Sequence, residues 1–166
     1  MIYAGSMSKV LFPSLRIGYV VLPAPLVDGF VALRGVLDDH GPLIDQAALA
    51  EFIAARAFYR HIRRCRGEYG ARLQTFVEYA AKLGLPLSFP HTDGGMNLAG
   101  FLDDGANDEH YSACLHEQGV EVPALSLYSI RPTRVGLLFG FTAFSQNGIR
   151  DGMKRAAEAL HSVARY

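Results

Sequence analysis

A short polar loop near the start of the chain, held between two apolar segments, most constrains its fold. Gly5-Ser6-Met7-Ser8-Lys9 follows a strand-like segment over residues 1–4, and a second strand is predicted over Arg16–Leu22. Because strands hold both ends of the loop, the lysine and Arg16 can act on one ligand from a rigid frame. The sequence therefore predicts a ligand-binding loop on a two-stranded support.

The side chains of this loop suit a phosphorylated aldehyde. Lys9 offers an amine that can form a Schiff base, and Arg16 offers a bidentate fork for a phosphate dianion. Ser6 and Ser8 each supply a hydroxyl, while Gly5 permits close approach of the backbone. A lone lysine is usually a solubilising surface residue, so this interpretation depends on its neighbours.

Gly-Ser-x-Ser-Lys followed by Leu-Arg-x-Gly-Tyr resembles the lysine motif of fold-type I pyridoxal-phosphate enzymes, the class I aminotransferases. The resemblance implies that pyridoxal 5'-phosphate is the cofactor and that Lys9 is the catalytic, Schiff-base lysine. It also implies that Ser6 and Arg16 contact the cofactor phosphate, with Ser8 beside the lysine as a further contact.

The longer string Tyr3–Tyr19 looks more specifically like the aminotransferase-like domain of MocR-type regulators. These are GntR-class transcription factors in which a winged helix-turn-helix precedes this domain. The resemblance extends over nearly all 166 residues, and its later segments are Pro42–Ile53, Gly95–Leu98, Gly119–Tyr128 and Gly136–Phe141.

The resemblance implies an α/β fold: the fold-type I pyridoxal-phosphate-dependent transferase fold, truncated to the end of its large domain plus the small α+β C-terminal domain. Residues 1–58 would form the lysine-bearing end of the large domain, and residues 59–166 the small domain. Apolar periodicity and turn residues predict helices over residues 25–37, 43–55, 60–83, 107–118 and 146–163. Strands are predicted over residues 85–89, 96–101, 120–122 and 136–141.

In the family, the groups that contact the cofactor ring lie upstream of the lysine motif. They are an aromatic that stacks on the ring, an aspartate at the ring nitrogen, and an asparagine and a tyrosine near the ring oxygen. With the lysine at residue 9, we expect this chain to be a C-terminal part of a regulator and inactive alone. We also expect it to self-associate, since part of a two-domain fold leaves apolar surface uncovered.

Two further residues are candidates for substrate binding. Aminotransferases usually place an arginine in the late strand to hold the substrate carboxylate, and that position falls at Leu138 here. Arg134, with Arg131 just upstream, could substitute, and Asn97 belongs to a segment that borders the active site in the family. The leucine disfavours an ordinary amino-acid transaminase and favours a sensor domain.

The rest of the composition excludes several classes of site. The 16 basic and 16 acidic residues balance, so no general nucleic-acid footprint is visible, and Arg60–Arg66 is interpreted as a solvated helix face. Cys65 and Cys114 lie far apart without metal-ligand spacing, and the histidines are scattered, so no metal site is predicted. No segment has the length and apolarity of a membrane span, and free thiols suit the cytoplasm.

The favoured function is ligand-responsive transcription regulation, in which an amine or amino acid would react with the cofactor on Lys9 and change the domain's conformation. The alternative is an aminotransferase that moves an amino group between an amino acid and a 2-oxo acid. An inactive gene remnant is a further hypothesis. The resemblance implies a cytoplasmic homodimer without membrane contact, and DNA contact only through a helix-turn-helix absent from this chain.

Overall fold

The computed structural model describes residues 1–130 and 134–163, and the chain divides into two compact units. The first unit, residues 1–64, contains strands β1 (Tyr3–Ser6) and β2 (Gly18–Val21) and helices α1 (Ala24–Leu37) and α2 (Leu43–Ala54). Helix α3 (Ala57–Lys82) begins in the first unit and ends in the second. The second unit, residues 65–166, adds β3 (Asn97–Phe101), α4 (Asp108–Glu117), β4 (Gly136–Gly140) and α5 (Gln146–Val163). The domain boundary between residues 58 and 59 stays a prediction.

β1 and β2 form an antiparallel hairpin whose connecting segment carries the candidate lysine. Ser6, at the end of β1, pairs with Gly18, at the start of β2. We call residues 7–17 between them the lysine loop. The N–H of Met7 donates to the carbonyl of Ile17 at 2.9 Å, so the backbone closes the neck of this loop.

The first unit buries none of its side chains, although many of them are apolar. In α1 and α2, for example, Val36 and Ile44 are each 85% exposed. A soluble protein rarely leaves a large contiguous apolar surface in water, and such a surface usually marks an interaction site. The exposure agrees with the expectation that the lysine-bearing part of this chain lacks covering elements.

We predict that the chain self-associates through these two helices. Replacing Val36 and Ile44 together by lysine should shift the chain toward smaller species, because two charges then stand on apolar surface. Size-exclusion chromatography with light scattering measures the shift. The control with the same added charge is Gln118→Lys with Ser129→Lys, at exposed polar positions of the second unit. A wild-type chain that stays monomeric at micromolar concentration would contradict the prediction.

The core of the second unit forms between a two-stranded sheet and the helices around it. β3 and β4 are antiparallel, with Phe101 opposite Gly136. Leu137, Phe139 and Phe141 occupy alternate positions and are all buried, as expected where one face of a strand covers a core. The predicted apolar stripe of α5 packs into the same core, with four residues at most 5% exposed: Ile149, Met153, Ala156 and Leu160.

Two of the predicted strands, residues 85–89 and 120–122, are wrong. In the first segment only Ser88 pairs, exchanging both backbone hydrogen bonds with Phe101 at 2.8 Å, and Pro86 has no N–H to extend the ladder. The second segment runs into Pro123, whose carbonyl accepts the N–H of Leu138 at 2.9 Å but which cannot donate in return. The first segment is therefore reduced to one isolated bridge at Ser88, and the second does not pair at all, because the isolated bridge beside it is at Ala124, after the proline.

Candidate functional site

Lys9 lies in a tight turn at the start of the lysine loop. The N–H of Ser8 donates to the Oγ of Ser6 at 3.3 Å, and the N–H of Leu11 donates to the carbonyl of Met7 at 2.9 Å. These bonds fold the backbone back on itself around the lysine, in the manner of a serine-stabilised turn. The Lys9 side chain is exposed, and the O–H of Ser6 remains available to donate to a ligand.

Arg16 stands at the far end of the lysine loop in the left-handed backbone conformation, with φ 50° and ψ 29°. It follows a 3-10 turn over Pro13–Leu15 and precedes Gly18, the partner of Ser6 in the hairpin. The register thus brings Ser6 and Arg16 to the same end of the hairpin. A non-glycine residue in this conformation costs about 1–2 kcal/mol, and such strain concentrates at functional sites.

A histidine that no sequence pattern singles out ties the lysine loop to α3. The Nε2 atom of His61 lies 2.9 Å from the carbonyl oxygen of Val10, the residue after Lys9. The contact joins residues 51 positions apart, so local sequence carries no signal for it. It holds the loop against a helix, and the lysine is therefore presented from a supported segment.

Tyr19 is a second contributor to the hairpin that sequence reasoning leaves without a role. Its ring lies across Gly5, where any Cβ would overlap it, and its centroid is 5.9 Å from that of Tyr3. Hydrogen bonding with Tyr3 raises the pKa of the Tyr19 phenol, with smaller contributions from charge and burial. Glycine at position 5 is thus what lets this aromatic pair cover one face of the hairpin.

The structure does not bring together the two candidate substrate residues of the second unit. Asn97 begins β3 opposite Gly140, whereas the Arg134 guanidinium stacks on Phe101, 3.4 Å from the ring centroid. β3 extends about 13 Å from Asn97 to Phe101, so the two candidates stand at opposite ends of the sheet. Arg131 lies outside the described residues.

Leu138 occupies the strand position for which the resemblance implies an arginine in aminotransferases. Its side chain is half-buried and alternates with the buried Leu137 and Phe139, so it faces away from the core of the second unit. This face of β4 therefore offers an apolar side chain where a carboxylate-binding enzyme would offer a cation.

Within residues 1–130 and 134–163, no group of three or more His, Cys, Asp or Glu side chains is arranged to hold a metal ion. None of the helices in that part of the chain is long and apolar enough to cross a bilayer.

Comparison with known proteins finds sequence relatives among transcriptional regulators and structures of the same fold among aminotransferases. The "Probable rhizopine catabolism regulatory protein MocR" of Rhizobium meliloti is 34% identical over 161 residues, which cover 96% of this chain and 33% of that protein. This chain is a homologue of MocR-type regulators. The uncharacterized HTH-type transcriptional regulator YdeL of Bacillus subtilis is 31% identical over 162 residues, covering 95% of this chain and 35% of the relative. This chain thus spans about a third of the length of the curated relatives it matches. No family model matches it.

A solved structure identifies the fold of this chain. The kynurenine aminotransferase of Pyrococcus horikoshii, in complex with PMP, superposes with a TM-score of 0.87 at 23% identity. The match covers 98% of this chain and 41% of the aminotransferase. The predicted fold class, an α/β fold-type I aminotransferase fragment, is confirmed.

Proposed function

We propose that this chain is the cofactor-binding and effector-sensing part of a transcriptional regulator. The observation that carries the proposal is homology along almost the whole chain to two proteins named as regulators. We further propose that the working unit is a cytoplasmic homodimer whose effector is a small amine or amino acid.

Pyridoxal 5'-phosphate is the cofactor we propose for this site. The aminotransferase with the same fold was crystallised with PMP, the amino form of this cofactor. The lysine loop holds a set of donors that matches both ends of such a molecule. An exposed amine at Lys9 suits the aldehyde, and an exposed guanidinium on the strained backbone of Arg16 suits the phosphate.

Ser6 and three side chains of the lysine loop would have separate tasks. Bound pyridoxal phosphate supplies an aldehyde that can condense with amines. Lys9 would donate its ε-amino group to that aldehyde, from a backbone that His61 holds through Val10. The hydroxyls of Ser6 and Ser8 would donate to phosphate oxygens, and Arg16 would bind the phosphate with two parallel N–H groups.

The effector class follows from the chemistry of Lys9 and Leu138. An amino compound competes with a lysine for the same aldehyde, so amines and amino acids are the natural effectors. Leu138 offers no charge to a carboxylate. This favours a domain that binds its effector without the arginine–carboxylate contact that holds the substrate of an aminotransferase. Asn97 and Arg134 remain proposed effector contacts, and their separation implies that they act on different parts of a ligand or one at a time.

The second candidate function is amino transfer, which the fold shared with a kynurenine aminotransferase favours. To separate the two, the full chain is mixed with pyridoxal phosphate, a panel of amino compounds and a 2-oxo acid. For the regulator, we expect at least one amine to change the visible spectrum of the protein-bound cofactor while the 2-oxo acid stays unaminated. Chromatography measures the products, with free cofactor as the baseline. Amination of the 2-oxo acid well above that baseline would contradict the regulator proposal and support amino transfer.

A further inference from the structure

A cationic surface lies at the start of α3, on residues that flank His61 in sequence. Arg56, Tyr59, Arg60 and Arg63 together line a cavity of ≈ 620 Å³ in the first unit. We call these four residues the arginine face. All four side chains are exposed. The sequence alone interprets residues 60–66 as a solvated helix face; the structure adds Arg56 and a concave shape.

In the part of the chain that the structure describes, no acidic side chain forms an ion pair with the arginine face. Residues 52–67 contain five arginines and no aspartate or glutamate, although the whole chain carries equal numbers of acidic and basic residues. Among the described ion pairs, none involves Arg56, Arg60 or Arg63. Arg56, Arg60 and Arg63 are exposed and repel one another.

The position of the arginine face on the helix adds to this repulsion. α3 begins at Ala57 with no acidic residue in its first turn, and the exposed N–H groups there carry partial positive charge. Arg56 precedes the helix in the left-handed conformation, with φ 55°. The only described hydrogen bond from an arginine side chain of this face runs from Arg60 Nη1 to the carbonyl of Ala55, at 3.4 Å. An anion bound here would reduce the repulsion between these arginines, which no described acidic side chain reduces.

The spacing of the arginines suits a row of phosphates. Arg60 and Arg63 lie three residues apart in α3, a spacing that places side chains on one side of a helix, and Arg56 lines the same surface from just before the first turn. At a rise of about 1.5 Å per residue, Arg60 and Arg63 are about 4.5 Å apart along the helix, which is comparable with the ~3.4 Å step of one DNA strand. Tyr59, 64% exposed, stands among them with a hydroxyl that can donate to a phosphate oxygen.

We propose that the arginine face binds the phosphate backbone of duplex DNA. The choice of DNA among polyanions rests on the proposed function as part of a regulator, whereas the anion site rests on the geometry alone. This assignment differs from the expectation that DNA is contacted only through a separate helix-turn-helix. The contact is sequence-independent, because arginines that meet phosphates position a protein on DNA without distinguishing its bases.

The test compares two triple variants of the full chain that remove equal charge. Arg56→Gln with Arg60→Gln and Arg63→Gln removes the arginine face. The matched control, Arg34→Gln with Lys82→Gln and Lys154→Gln, removes three exposed cations elsewhere: each has a described partner on its own helix. Fluorescence anisotropy of a labelled 20-base-pair duplex of mixed sequence is measured without cofactor at several salt concentrations, and circular dichroism checks the fold.

We expect wild-type binding in the micromolar range at low salt and a loss of about tenfold or more in the arginine-face variant. The slope of log affinity against log salt should become shallower by about 3, since each phosphate contact contributes about 0.9. The control should stay within about threefold of wild type. Any one of three results would overturn the proposal. They are no binding of the duplex by the wild-type chain, a loss of affinity in the control equal to that in the arginine-face variant, and tighter binding of an acidic peptide than of the duplex. The arginine-face variant should still take up pyridoxal phosphate, so failure here and failure of the cofactor proposal remain distinguishable.

Discussion

Lys9→Ala should remove nearly all of the pyridoxal phosphate that borohydride reduction can fix on this chain. If Lys9 supplies the reacting amine, the wild-type chain carries about one adduct per chain and the variant falls to background. The chain has three lysines, Lys9, Lys82 and Lys154, and one α-amino group at Met1, so peptide mapping distinguishes the four possible sites of the adduct. Peptide mass spectrometry after reduction measures the fraction of each lysine that is modified.

The other two lysines provide matched controls. Lys82 Nζ lies 5.5 Å from the centroid of the Tyr79 ring, and Lys154 lies 3.2 Å from a carboxylate oxygen of Asp151. Neither belongs to the loop that combines hydroxyls with a guanidinium, so alanine at either position should leave the labelling unchanged. An adduct spread evenly over all three lysines would mean that Lys9 is an ordinary surface amine.

Arg16→Gln separates phosphate binding from the reaction of the amine. Loss of the guanidinium should raise the concentration of pyridoxal phosphate needed for half-labelling of Lys9 by about tenfold, because a charged bidentate contact is lost. Labelling by pyridoxal, which has no phosphate, should stay the same. A variant that loses both reactions equally would show that Arg16 supports the loop rather than the phosphate.

Sequence reasoning succeeds here where a feature is local or strongly periodic. The lysine motif is continuous in sequence, and the strands and turn that surround Lys9 form as predicted. The apolar stripe of α5 repeats at helical spacing, and its members from Ile149 to Leu160 are buried. In both cases the signal comes from residues that are neighbours along the chain.

The sequence misses what depends on partners distant along the chain. His61 supports the lysine loop through Val10, and the sequence around neither residue predicts this contact. The β3–β4 register, which separates Asn97 from Arg134, follows from the pairing of two strands and from no pattern in either. Apolar content predicts a strand over residues 120–122, but the pairing needed there depends on backbone donors that proline removes.

Asp108→Asn should destabilise the second unit strongly. Asp108 is the first residue of α4 and is only 3% exposed. Its Oδ2 accepts the N–H groups of Ser126 and Gly136, both at 3.0 Å. One carboxylate thus joins the start of a helix to a 3-10 turn and to the first residue of β4. We expect a loss of about 2 kcal/mol at neutral pH, because hydrogen bonds to a charged group are the strong ones.

The pH dependence of this loss distinguishes a charge effect from a packing effect. Burial pushes the pKa of Asp108 upward, but the N–H groups of Gly136, Ser126 and Glu109 outweigh burial and leave the pKa below its usual value. A carboxyl whose pKa is lowered by folding stabilises the fold above the pKa of the unfolded chain, about 3.9. That stabilisation disappears as the pH falls below about 4 toward the lower pKa of the folded state.

Urea denaturation followed by circular dichroism, at pH 7 and near pH 3, measures both effects. The free energy of unfolding of wild type should approach that of Asp108→Asn as the carboxyl becomes protonated, because the two side chains then carry the same charge. Glu109→Gln is the control, since it removes the same charge from an exposed neighbour in the same helical turn and should change stability by about 0.5 kcal/mol or less. If the difference between wild type and Asp108→Asn is as large near pH 3 as at pH 7, the carboxylate's charge does not hold these three elements together.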